Sequence, residues 1–210
     1  MYGIPYLILF IKRRESRKEM IVVGLVCGLA GIILSKYALL DYWRPTYVIE
    51  GFPIEDFIYA FFFGGFASEC ADVFYEHKIK KHKKRLHILF VIFFFCFFIF
   101  TLLLHLYKVN SIVVHFLPLL FSGLLSIVVN IKNLKIQLIS GVFTLLITFV
   151  IFQILIFIDN GFISNNWLLE NLSGHIYFGI PLEEYIFAFL MGFGLASFYK
   201  VIDGKDRFIK

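Results

Sequence analysis

The chain has 210 residues, of which 60% are apolar, 20% aromatic and only 17% charged; its mean hydropathy is +0.85 and its net charge +5. A soluble domain is ordinarily about 45–50% apolar and about a quarter charged, so a water-soluble globule of this size cannot cover so much apolar surface. Disorder needs the opposite composition. What remains is a polytopic membrane protein.

A helix needs about 20 apolar residues to cross a bilayer core of roughly 30 Å. Taken in chain order, residues 1–11 are apolar but too short to cross fully. They read as a half-span, an interfacial helix or a truncated span. No cleavable signal peptide stands out there, because no positive segment precedes the run and no small-x-small site follows it. Six full spans follow, at about 20–40, 54–75, 86–106, 111–130, 136–158 and 178–201. The fold class is therefore all-α: a single membrane domain over 1–210 with six spans and a short N-terminal apolar helix.

The basic residues orient these spans rather than pointing to nucleic acid. All but three of the 20 lysines and arginines fall in 12–18, 78–85, 132–135 and 200–210. Those segments alternate with the loops at 41–53, 107–110 and 159–177, which hold Arg44 and Lys108; Lys36 ends the first span. By the positive-inside rule the basic side is cytoplasmic, together with both termini. Localisation in the cytoplasmic membrane of a prokaryote is the expectation. The cysteines Cys27, Cys70 and Cys96 lie inside apolar runs, so no disulfide framework is implied.

Two segments read alike: GFPIEDFIYAFFFG at 51–64 and GIPLEEYIFAFLMG at 179–192. Both open a span, and both follow a loop with Asp and Trp (Asp41 and Trp43; Asp159 and Trp167). The surroundings repeat as well. Residues 1–80 form a first repeat, 86–106 a linker span and 111–201 a second repeat. This 3+1+3 plan is a parallel repeat about an axis along the membrane normal.

Pro53 and Pro181 suit the first turn of a helix, where a missing N–H costs nothing. Acids in that turn meet unpaired N–H groups and the favourable end of the helix dipole. The motif is thus a competent helix start with no further role required. In a membrane, however, each copy sets two adjacent carboxyls about one turn into an apolar span. Glu55 and Asp56 point about 100° apart, as do Glu183 and Glu184. At most one of each pair faces the headgroups comfortably while the other faces the bundle. An ionisable group inside a span is costly and usually marks a site. Four carboxyls in one dry chamber could not all stay charged, which would place a general acid beside a general base.

His105, His115, Gln153 and His175 fall at a similar depth. Each singly reads as an interfacial or hydrogen-bonded residue; together they suggest a polar chamber on the outer side. Glu69, Asp72 and Glu76 share one helical face and read as ion partners of the 78–85 basic run. The stripe Gly24, Gly28, Gly31 reads as a close helix-packing face. The Phe runs 61–63, 93–95 and 97–98 read mainly as lipid-facing or core, and less readily as an aromatic wall for an apolar ligand or a carbocation.

There is no G-x-G-x-x-G after a strand, no DDxxD-type aspartate cluster and no H-E-x-x-H. Glu183-Glu184 lacks the arginine of the intramembrane prenyl-peptidase signature, because position 188 is Ala. No cofactor and no metal is expected.

The duplicated G-x-P-[IL]-E-[DE] span, each copy preceded by a loop with Asp and Trp, resembles the lycopene cyclase domain of the small, integral-membrane, cofactor-free type. The likeness is sharp over 41–64 and 159–192. The first copy departs in its shortened loop and stunted first helix, and Glu69 and Asp72 are not part of the family pattern. The resemblance implies a redox-neutral isomerisation. An acid protonates the terminal alkene of a linear carotenoid, the neighbouring double bond closes a six-membered ring, and a base removes a proton to leave the β-ionone ring of a lycopene β-cyclase product. It implies Glu55, Asp56, Glu183 and Glu184 as the catalytic residues, an apolar carotenoid or isoprenoid substrate, the bilayer as partner and no nucleic acid; a homo-oligomer is compatible with it. The alternative is a non-enzymatic isoprenoid or lipid binder, or a small 3+1+3 transporter.

Overall fold

The computed structural model describes residues 1–45, 47, 53–71, 77–81, 85–203 and 205–209, without the side chains of 77–90, 93, 105 and 205–209. Gly51 and Phe52 of the first motif, Asp72 and Glu76 lie outside the described residues, as do the side chains of His105, Phe93 and the 78–85 basic run.

The described chain is almost wholly helical. Its elements are α1 (Gly3–Lys12), α2 (Arg17–Asp41), α3 (Ile54–Glu69), β1 (His77–Lys81), α4 (Arg85–Leu104), α5 (Ser111–Val129), α6 (Asn133–Ile158), α7 (Phe162–Asn166), β2 (Ile176–Tyr177), β3 (Ile180–Pro181), α8 (Leu182–Leu195), α9 (Phe198–Asp203) and β4 (Lys205–Ile209). Among the described residues four helices are long and apolar enough to cross a membrane: Arg14–Asp41, Ser111–Val129, Asn133–Ile158 and Leu182–Asp203. The first takes in a 3-10 turn ahead of α2, and the last joins α8 to α9. α4 has 20 residues. α3 has 16, which at 1.5 Å per residue makes it about 24 Å long, short of a bilayer core of roughly 30 Å.

Two antiparallel ribbons depart from the all-helical expectation. β1 pairs β4, with His77 opposite Ile209 and Lys81 opposite Lys205, and so ties the chain after α3 to the chain after α9. β2 and β3 form a hairpin just ahead of α8. Its two turn residues, Phe178 and Gly179, have φ of 52° and 79°. Two consecutive left-handed residues make the turn whose twist matches a hairpin, and glycine at the second position lowers its strain. Backbone pairing of this kind leaves no mark in a hydropathy pattern.

The helices pack closely because small residues face large ones. Gly24 and Gly28 of α2 receive Phe61 and Phe57 of α3, and Gly141 of α6 receives Phe189 of α8. Gly64 of α3 lies on Cys27, while Gly192 of α8 lies on Thr144. Gly65 of α3 receives Tyr6 of α1; conversely, Gly123 of α5 receives Phe193 of α8. α3 therefore lies along α1 and α2, α8 lies along α5 and α6, and the two motif helices touch at the centre. Apolar burial drives little association inside lipid, so close backbone approach and interhelical hydrogen bonds carry it. Ser122 Oγ donates to the Gly194 carbonyl at 2.8 Å, and Ser140 Oγ to that of Ala67 at 3.0 Å.

At the end away from the motif acids, Lys200 of α9 lies 3.0 Å from Glu69 of α3 and 3.2 Å from Glu19 of α2, all three buried. One partner of Glu69 is thus a lysine distant in sequence. Helix packing brings this cation to it from the far end of the chain; the side chains of the 78–85 run lie outside the described residues.

A candidate active site in an aromatic chamber

The loops after α2 and before α8 meet above the motif acids. Trp43 and Trp167 form an antiparallel bridge. Arg44 N donates to Asn166 O at 2.7 Å, and Leu168 N to Tyr42 O at 2.9 Å. The two indole rings lie 5.7 Å apart. Asp41 accepts from both Ser111 N and Ser111 Oγ at the start of α5. A carboxylate at the positive end of a helix is stabilising. The first-loop aspartate thus joins α2 to α5, and Asp159 caps its own turn through Gly161 N at 2.8 Å. These loop aspartates build the roof and take no place in the chamber.

Below the roof lies a cavity of about 340 Å³. Its walls come from α2, α3, α4, α5, α6, α8 and the start of α9 together with the loop tryptophans. Most of the wall is apolar or aromatic: Tyr59, Phe63, Phe94, Phe95, Phe98, Phe152, Phe187 and Phe198 contribute. Part of the Phe runs of α3 and α4 thus forms an aromatic wall, the less favoured expectation for them. Leu29 and Ile33 of α2 and Phe95 of α4 line the cavity and are also exposed on the outer surface of the bundle.

One acid of each motif reaches this cavity. Asp56, 6% exposed, and Glu184, 3% exposed, both line it. They hold matching positions in the two copies. Each has one oxygen held by aromatic donors. Tyr47 donates its hydroxyl to Asp56 Oδ2 at 2.5 Å. Tyr42 donates its hydroxyl, and Trp167 its Nε1–H at 2.8 Å, to Glu184 Oε1. Burial first, and then the Asp56 carboxylate, push the Tyr47 phenol above its ordinary value, which keeps it a donor. The remaining oxygens differ from the held ones. Among the described residues Asp56 Oδ1 is buried with no hydrogen-bond partner, and no described group bonds Glu184 Oε2. A proton carried by either acid belongs on that second oxygen, because the held one is already an acceptor.

The other two acids point elsewhere. Glu183 Oε1 accepts from Ser173 N at 2.7 Å and pins the loop that precedes the hairpin. Glu55 is half-buried, and neither it nor Glu183 lines the cavity. The four carboxyls expected from the motif therefore separate into two that face the chamber and two that do not. The 100° step between neighbouring helix positions produces this division.

Of the other polar residues, His115 lines the cavity. Gln153 donates to Phe178 O at 2.9 Å, and His175 is exposed in the loop; neither enters the chamber. Tyr42, Tyr47 and Tyr59 escaped the sequence reading. Tyr42 adjoins the tryptophan that reading did single out, so the Tyr-Trp pair was the available signal. Among the described residues no group of three or more His, Cys, Asp or Glu is placed to hold a metal ion.

No curated protein and no solved structure matches the chain. Residues 110–202 match the family model for lycopene cyclase. The matched segment runs from α5 into α9, supplies Glu184, His115 and about a third of the residues that line the chamber, and is similar to the lycopene cyclase domain family.

Proposed function

We propose that the protein is a carotenoid cyclase-like membrane isomerase that closes a ring at one end of a linear isoprenoid, with no net redox change. The observation that carries this reading is the convergence of Asp56 and Glu184 on one largely apolar, aromatic cavity. An alkene is a feeble base, so its protonation needs an acid kept from water and a cation held by preorganised charge. Asp56 and Glu184 are the proton donors and cation holders in this reading. Tyr59, Phe63 and Phe187 present ring faces or edges to the same space, and cation–π attraction suits a carbocation. Glu55 and Glu183 act as loop and helix-start groups. A cavity of about 340 Å³ sits near the low end for ligand pockets. It suits one end of a long polyene, whose remainder lies towards the exposed flank at Leu29, Ile33 and Phe95.

The same reading includes the 3+1+3 repeat, with six spans and the basic ends cytoplasmic. Supporting it, glycine contacts recur at matching places: Gly24 with Phe61 against Gly141 with Phe189, and Gly64 with Cys27 against Gly192 with Thr144. The Gly65–Tyr6 and Gly123–Phe193 contacts exchange the small and large partner between halves. The two loop tryptophans pairing with each other agree with an axis between the halves.

The test is expression in cells that accumulate the linear carotenoid lycopene, with pigments separated by chromatography. Ring-bearing products are expected from the natural sequence, and Asp56→Asn lowers them at least about tenfold. Membrane-inserted protein that binds lycopene yet yields no ring would instead identify an isoprenoid binder.

A further inference from the structure

His115 lies in the first turns of α5 and lines the cavity together with Glu184. Its Nδ1 is 2.6 Å from the Ser111 carbonyl oxygen, one helical turn back. A carbonyl oxygen only accepts, so Nδ1 carries the hydrogen. In the neutral ring Nε2 then bears the lone pair. The Nδ1 bond turns that edge of the ring towards its own helix and leaves the Nε2 edge directed away from it. Among the described residues nothing bonds Nε2. The ring is 6.2 Å from that of Tyr42, which holds Glu184, and 6.0 Å edge-on to Phe187, which also lines the cavity. The charged groups on neighbouring elements are Glu184 of α8 and Asp41 of α2, the latter engaged with Ser111. His115 is thus a fixed tautomer that presents a nitrogen base beside the wall that holds the acid.

Resting on the cyclase reading, we infer that His115 Nε2 takes the proton that ends ring closure. The balance is as follows. A carboxyl O–H protonates the terminal alkene and leaves a carboxylate and a tertiary cation. The neighbouring double bond supplies its electron pair to the new carbon–carbon bond, which moves the cation to a ring carbon. A C–H bond next to that carbon breaks, its electrons form the ring double bond, and its proton goes to Nε2. The imidazolium then returns one proton to the carboxylate. No electron acceptor or co-reactant is required, and substrate and product are isomers. Three neighbouring positions can lose the proton: the ring carbon that carries the polyene chain, the ring methylene or the methyl group. They give β, ε or exocyclic γ rings respectively. Which one reacts depends on where the base sits, so a positioned base fixes the ring isomer.

The experiment compares the natural sequence with His115→Phe and His115→Gln in lycopene-accumulating cells. Glutamine keeps a donor for the Ser111 carbonyl but has no basic nitrogen. Membrane levels are measured alongside, and whichever variant inserts is read. The natural sequence is expected to give one dominant ring isomer. The variants are expected to give at least about tenfold less of it, with the residual product redistributed among ring isomers. Unchanged yield overturns the inference, and so does a lower yield with an unchanged isomer ratio, which is the mark of a merely structural histidine. Absence of any ring from the natural sequence overturns the cyclase reading itself.

Discussion

Replacing Glu184 and Glu183 separately by glutamine tests the division of the carboxyls most directly. In Glu184→Gln the amide oxygen can accept from Tyr42 and Trp167 as Oε1 does now. The shape is kept, Tyr42 and Trp167 keep their acceptor, and the new amide N–H groups face the cavity where Oε2 had no described partner, so the bundle should insert and fold. What disappears is an acidic proton facing the cavity. Loss of a positioned general acid typically costs about 10²–10⁴ in rate, which is about 2.7–5.4 kcal/mol at about 1.36 kcal/mol per factor of ten. In Glu183→Gln the acceptor for Ser173 N at 2.7 Å is likewise kept, and no group on the cavity wall changes. Its ring formation should stay within about threefold of the natural sequence, as expected for a charge-assisted bond exchanged for a neutral one. The assay is pigment composition per unit of membrane-inserted protein, followed over time so that slow turnover is not masked by accumulation. Equal loss in both variants, or full activity in Glu184→Gln, would refute the assignment of one chamber-facing acid to each motif.

Two further substitutions probe the scaffold. Lys200→Met removes a cation shared by the buried Glu69 and Glu19 carboxylates; losing one partner of a buried ion cluster costs about 3–5 kcal/mol. A marked drop in unfolding temperature in detergent is expected, and an unchanged one contradicts the assigned pairing. Gly192→Val sets side-chain carbon against Thr144 Oγ1 and the Ser140 carbonyl; overpacking of this kind costs about 1–3 kcal/mol and should lower the level of inserted protein. Gly3→Ala is the control, since its nearest neighbour there is Phe62 at 3.9 Å, and its level should match that of the natural sequence.

The helical class, the membrane setting and the duplicated acid motif were all legible in the residues. Hydrophobicity and its run length are properties of the chain itself, and a transmembrane helix satisfies its backbone bonds locally. The Gly24, Gly28 stripe was legible for the same reason: spacing alone puts both on one face, and that face does pack against α3.

Spacing did not say which acid of each pair turns inward, because a helix can be rotated about its axis without changing its sequence. The packing of α3 against α2 and of α8 against α5 and α6 set that rotation and brought Asp56 and Glu184 into one cavity. Contacts between segments far apart in the chain likewise chose Lys200 as a partner of Glu69, joined Trp43 to Trp167 and placed Tyr42 on Glu184. Local residue order determines which helices form; the matching of their surfaces determines which side chains meet, and the proposed chemistry depends on that meeting.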